Sequence, residues 1–479
     1  MIGLPRVPEV PRGSPLTVTL RDRRCLGPKV LPIRPEVLSW RPHFSHCFAW
    51  SEPCLLRANR RSRVTLRSDR FTGMAWVVRG EFRKLWIGQL VSASGSAVTT
   101  VALPLVAVVT LQASAVEMGA LSALSIAPHL VFGLLAGVWV DRWSLRRVLI
   151  WTDVGRLLLL GSVPATAAMG WLHIEQLYAV AVLTGVLTLL SDTASQTMIP
   201  WLVPREDLMR ANSAALLNLN LASTLGPSAA GFLVQVLTAP FAIVVDAASY
   251  VVSTIAAYLL REPSRAPAPE RSEVRLSAGL RVLFGDRMLR PLVISAGIAA
   301  MAGSMSGPLV VLFLIRELHK SPAFVGLSMT AFGAAAVAGT FIAPAWCRLV
   351  GLGRSYLSGV VLASLNGVAL FTGVTPVILL GQVLAGLGMS LFAVPQRTLR
   401  QALAPPHLVG QVTASWRTLV IGGQTVGAAA SGVLATALQI RPTLLIATAG
   451  MLAGLVIAAA SPLRGLRDLP EAARSMARQ

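Results

Sequence analysis

Twelve separate stretches of about twenty or more mostly apolar residues run through this chain, and such stretches leave few folds open. In the first half they lie at roughly 85–110, 116–140, 147–169, 176–200, 211–237 and 240–260. In the second half they lie at roughly 291–315, 322–346, 355–373, 375–399, 412–437 and 442–462. A helix crosses a bilayer core of about 30 Å with about 20 apolar residues. The runs are far longer than the 9–11 residues or so of a barrel strand, and they lack strict alternation. Charged residues make up only 13% of the chain and hydrophobic residues 54%, against about 25% charged in soluble domains. The sequence therefore predicts an all-α membrane protein.

An internal repeat groups the spans. GLLAGVWVDRWSLRRVL at 133–149 returns in blurred form 207 positions later, with Gly119 on Gly326, Asp141 on Arg348 and Arg147 on Arg354. SDTASQTMIPWLVPREDL at 191–208 aligns with LFAVPQRTLRQALAPPHL at 391–408, placing Gln196 on Gln396 and Leu208 on Leu408. Duplication predicts two pseudo-symmetric six-helix bundles around a central path. The expected N-terminal bundle covers 74–260 and the C-terminal bundle 291–463. Between them, 261–290 reads as a cytoplasmic linker. REPSRAPAPERSE is a polar, Pro-rich loop. Val274, Leu276, Leu280, Leu283 and Phe284 then recur at helical spacing among arginines, as in a short amphipathic helix on the membrane face. Residues 464–479 form a tail.

The net charge of +21 raises the question of nucleic acid, and its distribution answers it. After residue 73, 22 Lys or Arg fall in the even-numbered turns, the lead-in to the first span and the tail. The odd-numbered turns hold only Arg316, Lys320 and Arg441. That is the positive-inside pattern, which puts both termini in the cytoplasm. No basic stripe interleaved with aromatics is present, so nucleic acid is not an expected partner.

Residues 1–73 do not share the pattern. They hold nine of the 30 prolines, 14 basic and five acidic residues, and no apolar run of signal-peptide type. They read as a disordered basic leader. An alternative is a mis-assigned start upstream of Met74, because 74–479 alone supplies all twelve spans and the 39 Arg against three Lys suggest a GC-rich gene. The mass of the intact native protein checks this, and a mature chain beginning at Met1 would refute it. His43, His46, Cys47 and Cys54 match no established zinc spacing, and no metal is expected. The four cysteines suggest no disulfide framework.

On these motifs the stretch 74–479 resembles the major facilitator superfamily. GVWVDRWSLRR matches that family's turn between spans 2 and 3 at Gly137, Asp141, Arg142 and Arg146, with Ser144 and Leu145 departing from its pattern. FRKLWIGQLVSASGS, ALPLVAV, VPREDLMRANS and the Gly-Pro of span 5 are similar to the branch of macrolide-efflux proteins and enterobactin exporters. The resemblance implies alternating access between two bundles, with spans 1, 4, 7 and 10 lining the cavity. Gly137, Asp141, Arg142, Arg146 and Arg147 are then candidates for a conformational latch, the arginines pairing with carboxylates of the partner bundle or with anionic lipid. The alternative is that these arginines set topology alone. Gly226, Pro227 and Gly231 resemble the motif of antiporter and exporter branches, with Ala230 in place of its first terminal glycine. Plain helix packing is the other reading. Many drug–proton antiporters carry an Arg in span 4, and this chain has none there.

Other candidates come from the residues themselves. Gln89, Ser92, Ser96 and Thr99 share a face of span 1, and Thr188 with Gln196 marks span 4, so these are candidate cavity-lining residues. A Ser or Thr within a span also bonds its own backbone readily. Asp153, Asp192 and Asp246 lie inside spans, where a central Asp costs about 2.5–3.5 kcal/mol and needs a partner or a purpose. Asp153 is one turn from Arg156, as in an ion pair. Asp192 and Asp246 are candidates for proton coupling, with an interbundle pair between Asp192 and Arg397 as a further option. A satisfied structural Asp is the alternative.

Proton-driven export of a small amphipathic molecule is the leading expectation. The chain has no phosphate loop for ATP, no HExxH and no GxSxG, so neither an enzyme nor a cofactor is expected. Nutrient symport on the same fold and a non-transporting receptor or assembly protein are the alternatives. The expected partners are a small-molecule substrate, protons and membrane lipid, with the chain acting as a monomer.

Overall fold

A computed structural model describes residues 80–133, 135–204, 207–261, 276–405 and 408–467, without the side chains of Val138 and Asp141. The expected leader with its His and Cys residues, Met74, and the outer part of the tail lie outside the described residues. The described residues form helices joined by short turns. In order these are α1 (Glu81–Leu105), α2 (Ala115–Phe132), α3 (Leu135–Arg142), α4 (Leu145–Ala168), α5 (Ile174–Leu202), α6 (Leu208–Leu237) and α7 (Ala239–Leu259). After the linker come α8 (Leu276–Gly285), α9 (Leu289–Leu312), α10 (Pro322–Val350), α11 (Leu352–Thr372), α12 (Thr375–Leu403), α13 (Val409–Leu438) and α14 (Ile440–Ala459).

Eleven helices among the described residues are long and apolar enough to cross a membrane. The remaining long helix is α6, 30 residues carrying Asn212, Asn218, Asn220, Ser223 and Thr224. Those groups make it too polar to meet the same standard. Leu158, Phe232, Val433 and Val456 are each more than 60% exposed on the outer surface. Water would not tolerate so much open apolar area, and lipid covers it. Trp143, Trp151 and Trp201 near one face and Trp171 at the other are also exposed, as interfacial tryptophans are.

The second expected span is described as α2 and then α3. Helix α2 runs on through Pro128, Gly133 after it keeps right-handed helical backbone, and residue 134 lies outside the described residues. Linker helix α8 does form. It buries Gly279 and Leu283, and Ser415 of α13 donates to the carbonyl of Leu276 at 3.0 Å.

Duplication extends to backbone irregularities. A π-helical turn at Val106–Thr110 closes α1, and a second at Phe313–Glu317 closes α9. Gln112 and His319 follow them with φ of 52° and 48°. Thr238 and Gln439, at the α6–α7 and α13–α14 turns, share φ of 75° and 73°. Neither side chain makes a capping hydrogen bond. Left-handed backbone at a β-branched residue is costly by about 1–3 kcal/mol. Thr238→Gly is therefore expected to stabilise the fold by about 1 kcal/mol, readable as a higher melting temperature in detergent.

The two halves meet along α2 against α13 and α6 against α10. At the face carrying the α1–α2, α6–α7 and α13–α14 turns, called here the far face, one hydrophobic core runs through both halves. It joins Leu105, Met118, Leu177 and Ile243 to Phe313, Leu314, Leu370 and Leu444. Glycines permit this approach: a Cβ on Gly119 would sit 2.8 Å from the Gly432 nitrogen, and one on Gly231 would sit 2.6 Å from the Pro322 oxygen. At the opposite, near face the cores are separate. Phe82, Leu145, Leu149 and Met198 belong to one, and Leu289, Tyr356, Leu399 and Trp416 to the other. The halves are thus sealed together at the far face and independent at the near face.

Candidate functional site

Between the halves lies a cavity of about 820 Å³. Its wall comes from α1, α4, α5 and α6 on one side and from α9, α10, α11 and α12 on the other. Gln89, Ser92, Ser96 and Thr188 stand in it. Thr99 does not, because its hydroxyl turns to Asp246, and Gln196 is exposed outside the wall. Asn220 and Ser223 of α6 add polar groups. Sequence periodicity on the first half gave no sign of the opposing contribution from Ser306, Asn366, Gln382 and Ser390. The apolar share of the wall includes Val310, Met329, Phe332, Phe341 and Met389.

The charged groups of the cavity region all sit in the first half. Asp153 and Arg156 form an ion pair and are 1% and 4% exposed. Arg156 also donates to the Ser191 hydroxyl at 3.0 Å, and its guanidinium carbon stands 4.4 Å from the centre of the Tyr250 ring. The sequence pointed to the ion pair and missed this reach across to α5 and α7. Arg156 supplies a guanidinium beside span 4, although span 4 itself carries no arginine. Its position halfway along an apolar helix was the available signal.

Asp246 is fully buried in α7. Thr99 donates to it at 2.5 Å and Ser249 at 3.2 Å, while Ser96 and Tyr250 share a hydrogen bond of 2.8 Å alongside. The missing side chain of Gly95 leaves room for this cluster, since a Cβ there would lie 2.5 Å from the Asp246 carboxylate. Asp192 has the opposite setting. It is exposed to the cavity and makes no hydrogen bond or ion pair among the described residues. The option of a pair with Arg397 is not realised: Arg397 is exposed away from the wall.

The remaining sequence candidates flank the cavity. Gly137 lies in α3, and Arg142 and Arg147 are exposed. Arg146 donates to the carbonyl of Tyr258 and packs over its ring at 5.2 Å, so it contacts its own half and not the partner half. The side chain of Asp141 lies outside the described residues. Gly226 packs against Ala97 of α1, while Pro227 and Gly231 face α10. Ser228 donates to Thr330 of α10 at 2.8–3.0 Å from its hydroxyl and its amide.

A helical shell in two halves, closed at one face over a polar cavity, has clear parallels. The family model described as transmembrane secretion effector matches residues 71–478. The chain belongs to this family. It is a major facilitator superfamily protein, and its family is one of transporters, not of enzymes. The chain is 26% identical over 410 residues to the multidrug efflux pump Tap of Mycolicibacterium fortuitum, covering 83% of this chain and 98% of the relative. It is 26% identical over 364 residues to the enterobactin exporter EntS of Citrobacter koseri, covering 73% and 84%. Among solved structures it superposes on the nucleoside transporter NupG with a TM-score of 0.65, at 13% identity over 80% of this chain and 99% of that one. A bacterial homologue of the iron transporter ferroportin gives 0.64 at 18% identity over 78% and 97%. These likenesses show the fold.

Proposed function

We propose that the protein is a secondary active exporter that moves a small amphipathic compound, of drug, macrolide or siderophore-like type, out across the cytoplasmic membrane in exchange for protons. The cavity between two halves that share a core at only one face carries this reading. Relatives named as a multidrug efflux pump and an enterobactin exporter support the direction and the substrate range. The near face carries the basic turns, so the positive-inside pattern makes it cytoplasmic, with both termini on that side. The conformation is then the one that loads from the cytoplasm. Twelve crossings, with α6 as the fifth, complete the topology.

In this reading Gly137, Asp141, Arg142, Arg146 and Arg147 form the latch at the cytoplasmic face, disengaged while that face is open. Gly226, Pro227 and Gly231 let α6 slide against α1 and α10. Asp192 and Asp246 carry protons: Asp192 meets the cavity directly, and Asp246 is reached through Thr99 and the Ser96–Tyr250 pair. Everted membrane vesicles containing the protein are expected to accumulate a macrolide or fluorescent dye on energisation, and a protonophore should abolish the accumulation. Uptake by right-side-out vesicles instead would establish import. Asp246→Asn is expected to reduce gradient-driven accumulation at least about tenfold, a loss of about 1.4 kcal/mol of coupling, while exchange without a gradient persists. Equal losses in both assays would mean that Asp246 is structural.

A further inference from the structure

Several polar side chains of the cavity wall have partners within the protein. Gln89 donates to Ser195, Ser96 and Tyr250 share a hydrogen bond, and Arg156 pairs with Asp153. In the second half, Thr340 and Ser390 both donate to the Ala336 carbonyl. Asn366 of α11 and Gln382 of α12 differ from these. Gln382 is 6% exposed, stands in the wall and makes no hydrogen bond among the described residues. Asn366 also stands in the wall, and its carbonyl oxygen is buried and accepts nothing. Gly381 brings the two together. A Cβ there would stand 2.4 Å from the Ala369 Cβ and 3.3 Å from the Asn366 oxygen, so its absence lets α12 lie against α11 beside both amides. The pair sits at the inner end of the cavity: Leu370 and Ile378, one turn beyond each residue, belong to the core that seals the far face. Buried amides are ordinarily bonded. These two are left open to a group that enters the cavity.

We infer that Asn366 and Gln382 form a subsite for an adjoining pair of uncharged hydroxyls on the substrate. This deepens the transporter reading above and rests on it. Each carboxamide has both donors and an acceptor to satisfy. A carbonyl or ether would answer only the donors, and an ammonium only the acceptors. Hydroxyls do both, and two side by side answer two amides. The charged side chains of the wall, Arg156 and Asp192, both belong to the first half. A charge brought against the second half would therefore be desolvated without a counter-charge. Met389 lies two turns from Gln382 on the same face of α12, and Met329 and Phe332 of α10 add apolar surface for the rest of the molecule. Hydroxyl pairs occur among drugs, macrolides and siderophore-like compounds alike, so the subsite selects within that range.

The test uses the full-length protein in lipid nanodiscs, because sugar-headed detergents carry hydroxyls of their own. The probes are a vicinal naphthalenediol and its dimethyl ether, both uncharged at neutral pH. They share a ring system and differ in whether the oxygens carry hydrogen. Equilibrium binding is expected to favour the diol at least about tenfold. Gln382→Met and Asn366→Leu stay close to the original volumes. Each should weaken diol binding at least about tenfold and leave the ether within about threefold. Both variants should melt no lower than the wild type, because each removes an unbonded amide. Similar affinity for both probes, a diol preference that survives both substitutions, or no diol binding to the wild-type protein overturns the proposal. A variant that melts lower and loses both probes alike overturns it too, because the amide is then structural. The wild-type comparison stands even where a variant fails to fold. Vesicles that accumulate a macrolide under a gradient, while the two probes bind alike, would sink the diol subsite and leave the transporter reading intact. Absence of gradient-driven movement for every compound would sink the transporter reading itself.

Discussion

Arg156→Met is expected to cost about 3–5 kcal/mol of stability and to abolish transport. The substitution keeps the volume of the side chain and removes its charge. Asp153, 1% exposed, would then be a buried carboxylate without its partner. Ser191 would lose a donor and Tyr250 its stacked cation. Removing one member of a buried pair is far more damaging than removing both, because the survivor cannot regain water. The double variant Asp153→Leu, Arg156→Met is accordingly expected to recover most of the melting temperature. It should not recover transport, because the guanidinium that stands in the cavity wall and bonds Ser191 is still missing. Melting in detergent alongside vesicle accumulation separates the two effects. A single variant as stable as the wild type would show that the pair contributes nothing to the fold.

Closing the far face depends on glycines, and Gly432→Leu is expected to reduce transport more than about tenfold by preventing that closure. A Cβ at Gly432 would already stand 2.7 Å from the Ala115 oxygen and from the Val116 Cα. Both are backbone, so neither yields without moving a helix. Gly231→Leu acts at the matching contact of α6 with α10 and should do the same. The consequence is a shift of population toward a state open at the far face. Spin labels on Cys substituted at Trp171 and Val374, exposed positions on the far-face turns of the two halves, report it directly. Their separation should lengthen in the variant. An unchanged distance with normal transport would mean that the far face does not need this approach.

Much of this architecture was legible in the residues. Span lengths and the repeat anticipate the helical shell in two halves, because apolar length and internal similarity are properties of the chain alone. Spacing placed Arg156 one turn from Asp153 and set Ser249 and Tyr250 beside Asp246. Contacts between helices were not legible. Nothing local says that Thr99 turns away from the cavity to bond Asp246, or that Arg156 crosses to Ser191. The polar groups of α9, α11 and α12 in the wall were missed because Ser306, Asn366, Gln382 and Ser390 share their helices with polar residues such as Ser304, Ser364 and Thr398 that do not line it, so spacing alone marks no cavity face. Helix α6 was read as a span despite its asparagines: Asn218 is buried and donates to the Trp86 carbonyl of α1, and Asn220 meets the cavity.

The repeat that shaped both halves did not keep them chemically alike. Positions equivalent to Asp153, Arg156, Asp192 and Asp246 carry Val360, Ala363, Phe392 and Ala447. The four ionisable groups are thus confined to the first half. On the transporter reading, hybrids that join this second half to a foreign first half are expected to take on the charge preferences of the protein that supplies the first half.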